Sequence, residues 1–315
     1  MRAYPRSGNP PSGIGPVDVS SAWVKAQSCM FKTEVIITGT GTPMFLPHIA
    51  GPGVLVRRDD VALQFDAGRA TTMRLAAAQM PLPDLSAVFI THHHSDHVVG
   101  LTDLLFTRWL EDLDRSGQKP LPVYTPAGPA QDLVERLLEP WSDEVAMRAE
   151  HQERPDLPMP EVVAFPATAA AKRVFKSGAV AVDAFLVEHE PVSPAVGFRV
   201  TVPEGVIVIS GDTAVCPSVE AAAEGADILI HEAFCRKAIP EGTMADPDSL
   251  ATYHADSYQV GRMAARLDVD TLVLTHLIPP VINENVRDVF INDVRNAGFD
   301  GRLIVADDLT RVGLN

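Results

Sequence analysis

The chain has 315 residues, 46% of them hydrophobic, and 41 Asp and Glu against 26 Lys and Arg leave a net charge of −15. Such a length can bury one large core or two modest ones, and the acidic balance argues against a broad basic surface for nucleic acid. No apolar run approaches the roughly 18–20 residues of a membrane span, and Cys29, Cys216 and Cys235 are too scattered for a disulfide framework or a C-x-x-C pair.

Residues 1–30 carry Pro, Gly and Ser where a signal peptide needs an apolar segment. They read as an extension, disordered or docked on a neighbouring subunit, and the expected location is cytoplasmic. Residues 31–315 read as a single domain. TEVIITGTGTP is a strand entering a Gly-Thr loop, and GVLVRRDDVALQFDAG is two strands joined at Asp59-Asp60. MRLAAAQM is a short helix and LSAVFI a buried strand. Leu101, Leu104, Leu105, Trp109 and Leu113 recur at helical spacing, as a helix packing one face on a core does. LPVYTP reads as a strand and PAQDLVERLLEPW as a helix. Residues 141–172 are charged and proline-punctuated, the pattern of an insertion or lid over a site. Strands resume with AVAVDAFLVEH, AVGFRVTV and GVIVIS, and a βα alternation closes the chain: ADILIHEAF, the helix YHADSYQVGRMAARL, then TLVLTHL. The order indicates a layered α/β protein with polar groups gathered at strand ends.

Those polar groups are the chemical signal. THHHSDH, residues 91–97, packs four of the ten histidines into seven positions after the LSAVFI strand. In extended backbone His92, His94 and Asp96 project to one side and His93 to the other, and His97 joins them if the chain turns into a helix. Imidazoles and a carboxylate converging on one point suit Zn²⁺ or a similar cation. Further along, His189, Asp212, His231 and His276 each end or closely follow a predicted strand, while His48, His93 and His151 fall outside this pattern. The ligand count then suggests two metals. His92, His94 and His189 would hold one and Asp96, His97 and His276 the other, with Asp212 bridging. Two divalent ions about 3.5–4 Å apart can share a hydroxide and stabilise charge on an attacked centre.

H-x-H-x-D-H at 92–97, His189, the GDT aspartate Asp212 and His276, in this order, resemble the ligand set of the metallo-β-lactamase superfamily. That resemblance implies an αββα sandwich, two mixed β-sheets flanked by helices, with the metals at one edge. GTGTP at 39–43, FDAG at 65–68, VYTPAG at 123–128, HEAF at 231–234 and H-A-D-S at 254–257 are similar to the branch holding tRNase Z, arylsulfatases and related phosphodiesterases. By that likeness Asp96, His254 and Glu232 are the catalytic candidates, with His254 stabilising an oxyanion or protonating the leaving group and Glu232 orienting it. Asp66 and His231 would support the ligands from behind. His254 is expected at the N-terminus of its helix, where the dipole favours an anion.

The resemblance implies two divalent ions, zinc first and Mn or Fe as alternatives. A glutamate at the position of His94 would suit redox iron, whereas histidine suits hydrolytic zinc. The expected reaction is hydrolysis of a small anionic ester by a metal-bridging hydroxide, phosphodiester ahead of sulfate ester. The alternatives are a tRNase Z-type tRNA 3′-processing endonuclease, a lactonase or carboxylic-ester hydrolase, and, in another class, a non-catalytic metal-stabilised binding module. tRNA ranks second because no basic arm lies between His97 and His189 and the net charge opposes a polyanion. A homodimer without membrane association is expected.

Overall fold

The computed structural model describes residues 31–111, 117–240 and 246–315. The expectations for residues 1–30 and for Leu113 lie outside the described residues. Chain order runs β1 (Thr33–Gly39), β2 (Gly53–Arg58), β3 (Val61–Phe65), α1 (Thr71–Ala77), β4 (Ala87–Phe89), α2 (Ser95–Val98), α3 (Leu101–Leu110), β5 (Pro122–Pro126), α4 (Pro129–Arg136), α5 (Ser142–His151) and β6 (Glu161–Phe165). The second half comprises β7 (Lys172–Ser177), β8 (Val180–Leu186), β9 (Val196–Val202), β10 (Gly205–Ile209), α6 (Pro217–Ala223), β11 (Ile228–Phe234), α7 (Pro247–Leu250), α8 (Ser257–Arg266), β12 (Thr271–Ile278), α9 (Glu284–Asn296), β13 (Arg302–Val305) and β14 (Arg311–Leu314).

Two seven-stranded sheets result, ordered β14-β1-β2-β3-β4-β5-β6 and β13-β12-β11-β10-β9-β8-β7. Both are mixed. β1, β2 and β3 pair antiparallel and β3 to β6 parallel, while β7 to β10 pair antiparallel and β10 to β13 parallel.

Strand alternation explains the layering. In β1, Val35 and Ile37 join Phe65, Phe89, Phe198 and Ile230 in the cluster between the sheets, whereas Ile36 faces outward. The outward residues of the first sheet, with Leu75 of α1, Leu101, Leu104 and Leu105 of α3 and Val134 of α4, make a second apolar cluster. Those of the second sheet pack on Val219 of α6, Val260 and Met263 of α8 and Phe290 and Val294 of α9. A strand apolar on both faces must be covered on both, so each sheet takes its partner on one side and helices on the other. This is the expected αββα sandwich.

Residues 141–172 correct one expectation. The segment contains α5 and β6, and β6 pairs with β5 along its whole length as the edge of the first sheet. Only Val145 of α5 is buried, so the helix shows little apolar periodicity and its sequence resembles a loop.

A metal-ligand cluster at one edge of the sandwich

His92, His94, Asp96 and His97 follow β4, but not as an extended run. The chain turns at His94 and residues Ser95–Val98 form α2, with the His97 N–H on the His94 carbonyl at 3.1 Å. The expected alternation of His92, His94 and Asp96 is therefore broken, and Asp96 leaves the side of the first two histidines. His92 and His94 gather with His189 and Asp212, while Asp96 and His97 gather with His276. Within each group one donor atom per residue lies inside 4.8 Å of the others.

Asp212 sits between the two groups. Its Oδ2 lies 3.3 Å from Nε2 of both His97 and His276, 3.9 Å from that of His189 and 4.0 Å from that of His92. Asp96 Oδ2 lies 3.4 Å from His276 Nε2 and 3.7 Å from His97 Nε2. Donors bound at about 2.0–2.2 Å to a tetrahedral ion stand roughly 3.4 Å from one another, so both groups match that spacing. Nε2 of His92 is buried without a hydrogen-bond partner, a costly position for a lone pair unless a cation takes it. The donor set, imidazole and carboxylate, therefore fits divalent metal.

The local backbone shows how the chain reaches this arrangement. α2 docks on the turn after β3, with Ala67 N–H on the His97 carbonyl at 2.8 Å and Gly100 N–H on the Ala67 carbonyl at 2.9 Å. A methyl on Gly68 would stand 2.5 Å from the Asp96 carbonyl oxygen, so glycine is needed for this approach. His276 is the extra residue of a bulge in β12. Thr275 opposes Glu232 and Leu277 opposes Ala233, leaving His276 unpaired at φ 44. Bulges re-aim side chains beside active sites, and here the bulge sends the imidazole into the cluster.

Hydrogen bonds behind the ligands set the ring orientations. His97 Nδ1 donates to Asp66 Oδ2 at 2.7 Å, and Asp66 is itself held by Thr91 N–H at 2.8 Å and Thr91 Oγ1 at 2.9 Å. His92 Nδ1 donates to Thr91 Oγ1 at 2.9 Å and His189 Nδ1 to the Tyr253 carbonyl at 2.8 Å. Each of these bonds leaves Nε2 as the electron-pair donor toward the centre. Thr91 and the Tyr253 carbonyl were not expected from sequence. Thr91 directly precedes the histidine run, a usable signal, whereas a backbone carbonyl leaves none.

Burial pushes His92 far below its ordinary imidazole value and lowers His94 and His189, which keeps these three neutral and ready to bind a cation. His97 goes the other way. Burial opposes its charge, but Asp212 and Asp66 raise it well above the usual range. Asp212 is equally buried, yet His276 and His97 hold it ionised well below the usual carboxylate range. A metal ion would take the place of the His97 proton.

His254 and Glu232 meet as expected, by a different route. His254 does not begin a helix. It follows α7 with its N–H on the Leu250 carbonyl, while Asp256 caps α8 by accepting from Tyr258 N–H. Asp256, not His254, meets the capping preference of that helix end. His254 Nδ1 donates to Glu232 Oε1 at 2.8 Å, and the same oxygen accepts from Thr213 N–H at 3.0 Å and Ala255 N–H at 3.2 Å. One carboxylate thus ties His254 to the residue after Asp212. Burial opposes the charged imidazole, but Glu232 and Asp212 push His254 up to about 9. His254 also shares a cluster with Asp212 and His276.

His231 is not brought into the cluster. Strand alternation puts it on the face of Leu229 and Ala233, which pack toward the helices, opposite Glu232, and its Nδ1 bonds the Glu232 carbonyl at 2.7 Å. His48 and His151 are exposed.

Comparison with known proteins agrees with this geometry. The beta-lactamase superfamily domain model matches residues 60–277. The chain belongs to the metallo-β-lactamase superfamily. A relative from Mycobacterium bovis named Ribonuclease Z is 33% identical over 283 residues, covering 89% of this chain and 97% of that protein. Membership therefore extends to the branch with ribonuclease Z, and the chemistry class is metal-dependent hydrolysis of ester bonds. The metallo-β-lactamase fold protein YhfI from Bacillus subtilis superposes with a TM-score of 0.68 at 22% identity, covering 89% of this chain and 98% of that one. The short form of human tRNase Z gives 0.61 at 22%, covering 90% and 99%. Among the described residues no helix is long and apolar enough to cross a membrane.

Proposed function

We propose that the chain is a ribonuclease Z-type phosphodiesterase that cuts tRNA precursors on their 3′ side, using two divalent ions, zinc first. The observation that carries this reading is 33% identity with a Ribonuclease Z along almost the full length of both proteins. The small anionic ester favoured in the sequence analysis gives way to that relationship and becomes the second reading, supported by the net charge of −15.

His92, His94 and His189 would hold one ion and Asp96, His97 and His276 the other, with Asp212 shared. When bound, such ions supply Lewis-acid charge and bring the pKa of water toward neutrality. The remaining work falls to the protein. Asp66 and Thr91 keep the His97 and His92 rings turned so that Nε2 faces the centre. Glu232 holds the His254 Nδ1 proton, which turns Nε2–H toward substrate, where it donates to a non-bridging phosphate oxygen or to the departing 3′ oxygen. Negative charge grows on the non-bridging oxygens and on the 3′ oxygen as the attacking oxygen bonds phosphorus and the P–O bond to the 3′ oxygen breaks, so this contact strengthens in the transition state. The reading keeps residues 31–315 as one cytoplasmic domain preceded by an extension, and the protein as a homodimer.

The test pairs a precursor tRNA carrying a 3′ trailer with bis-nitrophenyl phosphate, alongside metal analysis of protein purified without chelator. About two equivalents of metal and cleavage of the tRNA at the trailer junction are expected. Rapid turnover of the small diester with the tRNA left intact would transfer the proposal to the second reading.

A further inference from the structure

A pocket of about 440 Å³ opens at the end of β12, lined by the residue that follows His276, and falls within the size range of small-ligand sites. Its apolar lining comes from the loop after β1 (Leu46, Ile49) and from the end of β12 and the turn beyond it (Leu277, Val281, Ile282). The link to the cluster is direct. Leu277 follows His276, and its N–H donates to the Thr40 carbonyl at 3.2 Å.

The pocket is built and rigid on one side. Asp308 accepts from Thr40 N–H and Thr40 Oγ1 at 2.9 Å, Ala50 N–H at 2.7 Å and Arg74 Nε at 2.9 Å, which fastens both ends of the loop that carries Leu46 and Ile49. The charges select the occupant. Arg74, the one Arg or Lys in the lining, is already engaged by Asp308 and by the His48 carbonyl at 2.8 Å. Asp307, with its side chain 70% exposed, shares one oxygen with Arg287. Asp308 is paired with Arg74 and Asp307 with Arg287, so the lining offers a phosphate no free guanidinium and suits an uncharged group. Aliphatic walls suit the faces of a flat uncharged ring, and the second oxygen of Asp307 can accept from an exocyclic amine. Ile282 at the rim is 68% exposed, and Phe45, next to Leu46, is 78% exposed, a large apolar area to leave in water.

We propose that this pocket receives the nucleobase of a nucleotide flanking the scissile phosphate, an inference that rests on the ribonuclease reading above. The phosphate would stay at the ligand cluster and the base would turn into the pocket, unstacked from its neighbours.

The experiment compares wild type with Ile282→Asp and Ile282→Leu. The substrate is an acceptor-stem RNA hairpin with a 3′ trailer, either complete or with an abasic ribose at one or the other flanking nucleotide; methyl nitrophenyl phosphate serves as a diester without a base. Removing the base at one of the two positions should cost wild type and Ile282→Leu about 10-fold in kcat/KM, the scale of losing one modest apolar contact area. In Ile282→Asp the same removal should cost less than about 3-fold. Equal losses in wild type and Ile282→Asp, or no loss at either position in wild type, would overturn the pocket assignment and leave the ribonuclease reading standing. A wild type that cleaves no RNA, whatever it does to the small diester, overturns the ribonuclease reading and the nucleobase with it.

Discussion

At the scale of single residues, His254 carries the sharpest expectation. Its Nδ1 is tied to Glu232, its ring stacks 5.6 Å from that of His276, and it stands near Asp212 without belonging to either complete ligand group. A group in that position contributes to the transition state more than to the metal. His254→Ala should lower kcat by about 10²–10⁴-fold while metal content stays near wild type. Glu232→Gln keeps an acceptor for Nδ1 but loses the negative charge, so it should fall between wild type and His254→Ala. Steady-state kinetics with parallel metal analysis checks both. Loss of metal in His254→Ala would make this imidazole a ligand instead. The roles of Thr91, Asp66 and the Tyr253 carbonyl belong to the same scale. Each fixes one ring by its Nδ1 proton, so the donor atom facing the centre is decided one bond behind it.

At the scale of elements, three turns do most of the positioning. The one-turn α2 swings Asp96 away from His92 and His94, the β12 bulge delivers His276, and the Gly51, Gly68 and Gly100 contacts clamp α2 onto the β3 exit. The glycine contacts are backbone against backbone, so a side-chain rotation cannot relieve them. Gly68→Ala places its methyl 2.5 Å from the Asp96 carbonyl and should cost about 1–3 kcal/mol in urea-unfolding free energy. It should also weaken metal at the Asp96–His97–His276 group more than at the His92–His94–His189 group. Metal titration of chelator-stripped protein distinguishes the two, and a variant with wild-type stability and affinity would show that this contact does not place α2.

At the scale of the whole molecule, the two sheets are joined by apolar packing and, at their rim, by charge. Glu204, in the β9–β10 turn of the second sheet, accepts from Arg58 of β2 through both oxygens, Nε at 2.9 Å and Nη2 at 3.1 Å, and from Thr33 of β1 at 3.0 Å. The Arg58 guanidinium lowers this carboxyl from 4.5 to about 2. A carboxylate depressed in the folded state stabilises it above the unfolded pKa and loses that contribution as pH falls through the folded one. Glu204→Gln should therefore lower the urea midpoint at neutral pH, and its gap from wild type should close between pH 4.5 and about 2. A gap that persists unchanged at the acid end would assign the effect to lost packing and not to charge.

Much of this protein was determined locally. Alternating apolar residues in β1 and the helical stripe at Leu101, Leu104, Leu105 and Trp109 mark the layers, because strand and helix periods are properties of a few consecutive residues. The ligand identities were legible for the same reason, since imidazole and carboxylate side chains at strand exits advertise metal chemistry whatever surrounds them. Distance-dependent choices were not. The grouping of the histidines was expected, but the backbone route to it was not: α2 turns Asp96 away from His92 and His94, a bulge turns His276 inward, and strand parity turns His231 out. The pairing of His254 with Glu232, 22 residues away, came from the family resemblance, whereas its place after α7 and not at the start of α8 was decided by the tertiary structure. The pocket at the end of β12 joins segments near residues 46, 281 and 307, whose approach is set by packing of the two sheets and by the hydrogen bonds of Asp308, and such long-range convergence has no local periodicity to announce it.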